Sequence, residues 1–323
     1  MSTSAAVGQR SPKPLRGSAP RRPGGIAAWS AGRLARVVTM LFVAVLFVFP
    51  IVGFIAMAFR STDHVQAGSD GFLGLAGVSL QNLKDNWSEV NAFGPDGGLF
   101  TQWIGNSLTV SVGGAAISLA AALPAGYAMA RLRFRARRAM LLVTLVTMVM
   151  PNTVLVIPLF LEVNAVGAIG QLWPVVVIMG FFPFGVYLSY IHFLTAMPGE
   201  LVEAARMDGL GELSIFLRIA VPISKQAAVL VTFFAFVANW TNFFLPLALL
   251  SSDQSKKTVS TGLQDLIGSS PLFNPTVAAG LNVKLYMPQL ALATFISMLP
   301  LLAIFLGAQK YLIRGEAIGA VKG

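Results

Sequence analysis

The fold of this chain is decided around Glu203-Ala204-Ala205-Arg206-Met207-Asp208-Gly209, a polar run that is followed nine residues later by Ile219-Ala220-Val221-Pro222. Long apolar segments flank this run on both sides. Pro198 suits the first turn of a helix, and Gly209 suits a left-handed C-terminal stop. The roughly ten residues between them make about three turns, a rod of roughly 15 Å. We therefore predict a short helix here, and residues 198–222 are named the polar segment.

One face of the predicted helix is suited to docking. At helical spacing it carries Leu201, Ala204, Ala205 and Asp208. The two alanines allow a partner's groove to approach closely, as transmission of force between two rigid bodies requires. Glu203 and Arg206 can pair along the helix or contact another subunit. The alternative for the whole segment is an amphipathic helix that lies at a membrane surface.

The composition is that of a membrane protein. Of the 323 residues, 55% are hydrophobic and 11% are charged, and the mean hydropathy is +0.73. These charges are too few to solvate the surface of a soluble domain of this length. The chain has no cysteine and only two histidines, which excludes disulfides and thiolate catalysis and argues against a metal site.

Six segments are long and apolar enough to cross roughly 30 Å of hydrocarbon as helices. They are residues 37–59, 104–130, 139–162, 172–195, 225–250 and 289–310. The predicted fold class is therefore an all-α polytopic membrane protein with six transmembrane helices. With a cytoplasmic N-terminus, all but five of the 23 lysines and arginines lie on the cytoplasmic side; the five are Arg60, Lys84, Lys256, Lys257 and Lys284. The positive-inside rule then places both termini in the cytoplasm.

The domain organisation predicted from composition is a tail followed by one membrane domain. Residues 1–30 are rich in Ser, Pro, Gly and Arg and lack hydrophobic periodicity, so we expect a disordered basic cytoplasmic tail. A nucleic-acid partner is one interpretation of its charge, but a solvated flank attracted to membrane lipid is favoured. Residues 31–323 form the transmembrane domain.

Two long connections, 60–103 and 251–288, are predicted to lie outside the cell. The second contains several apolar residues, namely Leu263, Leu266, Ile267, Leu272, Phe273, Val277, Leu281 and Leu285. Loops of this length are usually functional or disordered. We favour docking of the 251–288 loop on another protein, and packing on its own membrane domain is the alternative.

Several functions are disfavoured by what the sequence lacks. The interior of the six segments contains no Asp, Glu, Lys or Arg, so nothing there can titrate during proton-coupled transport. The chain also contains no G-x-x-x-x-G-K-[ST], H-E-x-x-H or G-x-S-x-G motif. We therefore expect no catalytic residue and no enzyme activity in this chain. If it transports a solute, a partner must hydrolyse the nucleotide.

The polar segment resembles the EAA loop of ABC importer permeases, whose pattern is Glu-Ala-Ala, three residues, Gly, nine residues and Ile-x-Leu-Pro. The one departure is Val221 in place of Leu. Other runs resemble carbohydrate-importer permeases of the smaller maltose permease type. These runs are Asn106-Ser107-Leu108, Tyr127-Ala128-Met129-Ala130-Arg131, Trp240-Thr241-Asn242-Phe243-Phe244-Leu245-Pro246-Leu247, Gln309-Lys310-Tyr311 and Gly319-Ala320-Val321-Lys322-Gly323. The resemblance covers residues 37–323.

The resemblance implies a type I transmembrane domain of an ABC importer, a multi-pass protein of the bacterial cytoplasmic membrane that works by alternating access. It implies three kinds of partner: a second, different permease, two ATP-binding cassette subunits and an extracytoplasmic sugar-binding protein. It implies no cofactor in this chain, because ATP and Mg²⁺ belong to the ATPase subunits. The residues that match the coupling motif are Glu203, Ala204, Ala205, Asp208, Gly209 and Pro222.

Residues that contact substrate are predicted from chemistry. Sugars are held by aromatic faces and amide hydrogen bonds, and the fifth predicted span brings both together. The candidates are Asn239, Trp240, Asn242 and Phe243, with Asn106 and Asn152 as further polar residues. The alternative is hydrogen bonding between helices. In the resembled maltose system the partner permease supplies the sugar contacts.

The sequence thus predicts the permease subunit of an ATP-driven, binding-protein-dependent sugar importer. Two alternatives stay open. The first is the same architecture for a non-sugar or phosphorylated solute such as a glycerophosphodiester, which would require Lys or Arg on the pathway. The second is a membrane scaffold that binds a cytoplasmic protein without transport.

Overall fold

The computed structural model describes residues 27–68, 77–280 and 283–319, and every regular element within them is helical. The α-helices are α1 Ala27–Ala58, α2 Thr62–Gln66, α3 Leu80–Asn91, α4 Leu99–Arg131, α5 Arg137–Val149, α6 Val156–Ala165, α7 Leu172–Met179, α8 Pro183–Ala196, α9 Gly199–Met207, α10 Glu212–Ile215, α11 Val221–Ile223, α12 Lys225–Trp240, α13 Phe244–Leu250, α14 Val259–Gly268, α15 Pro275–Ala278 and α16 Met287–Gly319. Short 3-10 turns occupy Asn152–Leu155 and Gln254–Lys256, and a π-helical turn occupies Phe216–Ala220.

The chain divides into two compact units, Met1–Ile51 and Val52–Gly323. In the first unit the described residues form one continuous helix, the greater part of α1. Helix α1 begins at Ala27, so residues 27–30, which were predicted to belong to the disordered tail, are helical. Residues 1–26 lie outside the described residues.

Six predicted spans correspond to four long apolar helices and two bent helix pairs. The four are Gly32–Ala58, Leu99–Arg131, Leu172–Ala196 and Met287–Leu312. By length and composition each can cross a membrane, and the number of spans reaches six if each bent pair counts as one.

The third and fifth predicted spans, residues 139–162 and 225–250, are not continuous helices. The third span consists of two helical stretches, Arg137–Val149 and Asn152–Ala165, that meet at 96°. A 77° bend between Glu212–Ile223 and α12 precedes the fifth predicted span, which itself leaves the helix after Trp240 before α13 starts. Hydropathy measures only how apolar a segment is, so it does not detect a break inside an apolar run.

Helix α4 is the centre of the second unit and packs most extensively against α8, α12 and α7. Glycine makes the closest of these approaches possible. A Cβ added to Gly126 would lie 2.5 Å from the Cβ of Ser189 and 2.7 Å from the backbone nitrogen of Tyr190. Small residues at such crossings let helix backbones meet, which is how apolar helices associate in lipid.

The 251–288 loop is anchored on the first turns of α4. The indole of Trp103 donates to the Gln254 carbonyl at 2.7 Å, and Asn106 donates to the carbonyls of Ser255 and Lys257 at 2.7 and 2.9 Å. The ring of Trp103 is fully buried against Gly262, where a Cβ would come within 2.1 Å of it. This part of the loop therefore packs on its own domain, the alternative given above.

The apolar residues of the same loop fall into two groups. Leu266 and Leu285 are buried in the core cluster around Trp103, and Leu263 packs against that cluster. Four others remain exposed, namely Ile267, Leu272, Phe273 and Val277, and Leu281 lies outside the described residues. The predicted docking on another protein stays a prediction for the exposed group alone.

The connection 60–103 contains α2 and α3, and α3 packs on the first turns of α16. The buried amide of Gln289 donates to the side-chain oxygen of Asn86 at 2.9 Å and to the carboxylate of Glu89 at 2.5 Å. Partial burial raises the pKa of Glu89, although the Gln289 hydrogen bond opposes that shift. Residues 60–68 and 77–103 of the connection are thus a folded part of the domain, and residues 69–76 lie outside the described residues.

Candidate functional site

The polar segment contains the predicted short helix, α9, which begins after Pro198 and ends at Met207. Its C-terminus is closed by backbone hydrogen bonds: Gly209 N donates to the Arg206 carbonyl and Leu210 N to the Ala205 carbonyl, both at 3.0 Å. This pairing is a Schellman motif, which requires a left-handed residue. Gly209 has φ +78°, which confirms the predicted glycine stop.

The predicted docking face of α9 is divided between two environments. Ala205 is only 6% exposed and lies with Val202 against the membrane domain, whereas Leu201, Ala204 and Asp208 are exposed. The reason is geometric, since Val202 and Ala205 are three residues apart and form the side of a short helix that packs inward. The prediction of one continuous face was therefore wrong at Ala205.

The ion pair of α9 also differs from the predicted one. The Nε of Arg206 donates to Oε1 of Glu212 at 2.7 Å, rather than to Glu203 on its own helix. Both side chains are more than 40% exposed, so solvent screening makes this ion pair a weak contributor to stability. Its effect is to join α9 to α10 across the turn.

A π-helical turn, Phe216–Ala220, precedes Pro222 at the end of the polar segment. Proline has no N–H to donate and its ring clashes with the carbonyl four residues earlier. A wider turn before the proline relieves this conflict. The chain then bends by 77° into α12, so Pro222 stands at the joint between the polar segment and the membrane helices.

The polar segment rests on a buried aromatic cluster. The ring centroid of Tyr127 lies 5.6 Å from Phe193 and 5.3 Å from Phe216. Val202 and Ala205 complete the contact from α9. The cluster thus contains residues of α4, α8, α9 and the π-helical turn, which links the polar segment to the two central helices.

Arg131, at the end of α4, closes the C-terminus of α8. Its guanidinium donates to the Phe193 carbonyl at 2.7 and 3.1 Å, to the Leu194 carbonyl at 3.2 Å and to the Met197 carbonyl. These carbonyls are among the groups that a helix end leaves unpaired. The sequence analysis used Arg131 only as a charge that sets topology and as part of the run that begins at Tyr127, so it missed this role.

A second candidate site is a cavity of about 490 Å³, where three interrupted helices meet. The interruptions lie between α5 and α6, between α7 and α8, and between α12 and α13. The cavity is lined by Asn152, Thr153, Leu155, Val156, Leu159, Ile178, Met179, Phe181, Phe182, Ala238, Asn239, Thr241, Asn242, Phe243, Phe244 and Leu245.

Proline and asparagine explain the interruptions. Residues before proline are driven out of helical conformation, and both Met150 and Phe182 precede a proline and have non-helical ψ values of 130° and 82°. After α12, the Oδ1 of Asn242 accepts a hydrogen bond from Leu245 N at 3.3 Å. Such a side-chain acceptor starts a new helix, here α13.

Four of the six predicted substrate residues line this cavity. Asn152 is contributed by the third span, and Asn239, Asn242 and Phe243 are contributed by the end of α12 and the break that follows. The fold therefore brings together residues that are about ninety positions apart in sequence. Sequence reasoning missed Phe181, Phe182 and the two threonines; the signal that could have found Phe182 and Thr153 is a neighbouring proline, Pro183 or Pro151, at which the helix is interrupted.

The other two predicted residues lie elsewhere. Trp240 stacks on Phe236 with ring centroids 5.7 Å apart, and its indole donates to the Ser297 carbonyl on α16 at 3.1 Å. Asn106 holds the 251–288 loop. Their hydrogen bonds match the alternative stated for such residues, in which they bond one part of the fold to another.

The wall of the cavity is aromatic and amidic and carries no charged side chain among the described residues that line it. Four phenylalanines, three asparagines and two threonines supply rings, amides and hydroxyls. Asn239 is 8% exposed, and its Nδ2 has no hydrogen-bond partner within the described part of the chain. It occupies the space left by Gly114, where a Cβ would lie 2.5 Å away.

Comparison with known proteins gives the following similarities. Residues 122–317 match the family model of the binding-protein-dependent transport system inner membrane component. The chain is 27% identical over 283 residues to the arabinooligosaccharides transport system permease protein AraQ of Halalkalibacterium halodurans, covering 87% of this chain and 94% of that one. It is 30% identical over 247 residues to the alpha-glucoside transport system permease protein AglG of Rhizobium meliloti, covering 74% and 60%.

Among solved structures, the chain is similar to one from a bacterial ABC transporter involved in the import of the acidic polysaccharide alginate. The TM-score is 0.74 with 21% identity, over 90% of this chain and 99% of that one. At this identity the likeness shows the fold, which is that of an ABC importer permease.

Proposed function

We propose, starting from the family to which this chain belongs, the binding-protein-dependent transport system inner membrane components, that it forms half of the translocation pathway of an ATP-driven sugar importer. We propose further that an ATPase moves the chain through its polar segment. The family match and the sugar-permease relatives establish a multi-pass cell membrane protein of the ABC sugar-permease type. The coupling and the partners are the proposed part.

The observation that carries the coupling proposal is the construction of the polar segment. Its inner side is packed on α4 and α8 through Ala205 and the aromatic cluster. Its outer side leaves large apolar residues uncovered, with Met207 88% and Leu213 70% exposed. A rigid element with one anchored and one uncovered apolar side is suited to transmit the motion of a docked protein.

The partners proposed for this chain follow from its family and from what it lacks. ATP and Mg²⁺ would be bound by two ATP-binding cassette subunits, one of them docked on Ala204 and its exposed neighbours. A second, different permease would complete the pathway, and an extracytoplasmic binding protein would deliver the sugar. We expect the polar segment and both chain termini on the cytoplasmic side, as the distribution of Lys and Arg predicts.

A sugar is the favoured solute because the names of both relatives specify saccharides. Uncharged lining of the cavity supports the same choice. A glycerophosphodiester or sugar phosphate would require a cation on the pathway, and the lining residues include none.

Purification of the solubilised chain with its native partners tests the proposal. Ala204→Arg places a bulky charge on the exposed side of α9 and is expected to abolish co-purification of the ATPase subunits. The matched control is Ala136→Arg, which is exposed in the connection before α5 and is expected to retain them. Saccharide-stimulated ATP hydrolysis by the wild-type complex completes the expected result. Recovery of the wild-type chain with a partner that does not hydrolyse ATP would favour the scaffold instead.

A further inference from the structure

The cavity lies inside apolar segments, and this position restricts what it can face. Non-helical backbone and side-chain amides are costly in hydrocarbon, because each unsatisfied polar group loses its hydrogen bonds to water. Asn152 and Thr153 are exposed at a helix break in the middle of the third predicted span. Such groups are tolerated at that depth where they line an aqueous passage or contact protein. The cavity is therefore expected to face a passage or a partner subunit rather than lipid.

The chemistry of its wall selects a class of ligand. The rings of Phe182 and Phe243 offer flat apolar faces, and Asn239 and Asn242 offer amides that donate and accept. A buried charge requires an opposite charge or several hydrogen bonds to offset its desolvation, and the described lining has no charged residue to supply one. This combination fits a neutral, polyhydroxylated molecule, and the volume of about 490 Å³ lies in the range of small-ligand sites.

Asn239 gives an independent sign that the wall is incomplete without a ligand. Its Nδ2 is a buried donor with no partner in the described residues, and a buried donor without a hydrogen bond is unfavourable. Rotation of the amide away from Gly114 would direct the donor into the cavity, where a hydroxyl can accept its hydrogen bond. Binding of a polyol would then remove the cost.

We propose that this subunit itself holds a neutral saccharide in the cavity at the three helix breaks during passage. The inference rests on the proposed function and deepens it, since it assigns sugar contacts to this chain as well as to its partner permease. It also assigns a selectivity, because the site accepts neutral sugars and discriminates against uronates and sugar phosphates.

The test uses the assembled importer in lipid nanodiscs without its binding protein, with saturation-transfer NMR titrations of three probes. Maltotriose and arabinotriose are the neutral probes, and trigalacturonate is the anionic probe. At least one neutral probe is expected to bind and trigalacturonate is not. Asn152→Ala and Phe243→Ala are each expected to lower the affinity for the neutral probe about fivefold to tenfold, which is the effect of one lost contact.

Two further variants separate the site from general damage. Asn164→Ala changes an exposed asparagine on the neighbouring helix α6 that does not line the cavity, and its affinity should equal that of the wild type. Asn152→Lys introduces a cation and is expected to confer binding of trigalacturonate.

The contrary results are equally specific. Neutral probes that bind Asn152→Ala and Phe243→Ala as tightly as the wild type would place the sugar site in the partner. Failure of every neutral probe to bind, or wild-type binding of trigalacturonate, would also overturn the inference. In each case co-purified ATPase subunits would leave the proposed function standing, whereas their absence would overturn the proposed function first.

Discussion

The polar segment and the cavity lie at two levels of the same central helix, α4, and they are built in opposite ways. Around Tyr127 and Arg131 the helix ends are closed by partners and the aromatic rings are buried. Around Gly114 three helices are interrupted, and Phe181 and Phe244 at the margin of the cavity are 69% and 56% exposed. One region is closed by its own residues, and the other leaves aromatic rings and amides exposed to a cavity.

Helix termini account for much of this difference. The carbonyls at the end of α8 are bound by a guanidinium, and those at the end of α9 are bound by a glycine turn. Charge-assisted bonds of the first kind contribute about 1.5–3 kcal/mol each. The interrupted helices instead use prolines and the Asn242 side chain to set their direction, and Ser118 of α4 donates to the Gly180 carbonyl at the break between α7 and α8 at 3.0 Å.

Arg131→Met should have the largest effect, because it breaks the closed region while keeping the apolar stem of the side chain. Removal of the guanidinium leaves the carbonyls of Phe193 and Met197 without their donor. We expect a loss of about 3 kcal/mol or more in the free energy of unfolding, together with a loss of sugar-stimulated ATP hydrolysis. Thermal unfolding of the purified complex and an ATPase assay measure the two effects.

The control for this change is Arg133→Met, which removes the same charge from an exposed position two residues later. Its unfolding temperature should stay close to that of the wild type. Equal losses in both variants would show that net charge, not the bonds to α8, stabilises this end of the molecule.

Substitution of alanine for two glycines of α4, one beside the polar segment and one beside the cavity, compares the two regions directly. Gly126→Ala meets the backbone of α8 at 2.7–2.8 Å, so the helices must separate, and we expect a cost of about 1–3 kcal/mol. At Gly114 the new methyl group meets the end of the Asn239 side chain at 2.5 Å. That amide can turn into the cavity, so the expected cost is below about 1 kcal/mol.

The measurement is the unfolding temperature of both variants in the same detergent. If Gly114→Ala destabilises the complex as much as Gly126→Ala, the cavity is as tightly packed as the closed region, and the contrast between them fails.

Gly209→Ala should have an intermediate effect. The left-handed conformation at φ +78° costs a residue with a Cβ roughly 1–2 kcal/mol. We expect that loss to appear as fraying of α9 and as weaker stimulation of ATP hydrolysis. Hydrogen exchange at the amides of Gly209 and Leu210 reports the fraying.

Gly211→Ala is the matched control, since Gly211 has an ordinary φ of −73° and open space around it. Its exchange rates and ATPase stimulation should be unchanged. Faster exchange in both variants would mean that the loop tolerates no side chain at all, whatever its backbone conformation.

The smallest expected effect concerns Glu89, far from either region. Because its pKa is raised above the ordinary value of 4.5, the folded protein binds more protons than the unfolded chain in the pH range just above that value. Stability therefore falls as pH rises through the folded pKa. Glu89→Gln should match or slightly exceed the wild type in unfolding temperature near neutral pH, and this difference should vanish in acid. A wild type that gains stability with rising pH through this range would contradict the assignment.

Much of this organisation was predictable from the residues, and the failures have physical causes. The low share of charged residues and the length of the apolar segments predicted the membrane helices, and Gly209 predicted the end of α9. Hydropathy does not locate the breaks in the third and fifth spans, because a break depends on local dihedral angles; in the third span the sequence signal is Pro151. Likewise, the burial of Ala205 and the position of Trp240 depend on which neighbour each helix face meets. That information lies in distant parts of the sequence.

The contacts of Arg131 have a consequence for how this subunit can be altered. Every acceptor that its guanidinium reaches is a main-chain carbonyl, so these hydrogen bonds between α4 and α8 do not depend on which side chains stand at positions 193, 194 and 197. The exposed residues of the polar segment are likewise free of any part in that connection. Under the proposed function, the docking surface for the ATPase can therefore be exchanged while these hydrogen bonds behind it stay intact, and a chimeric permease with a foreign docking surface is expected to keep its coupling.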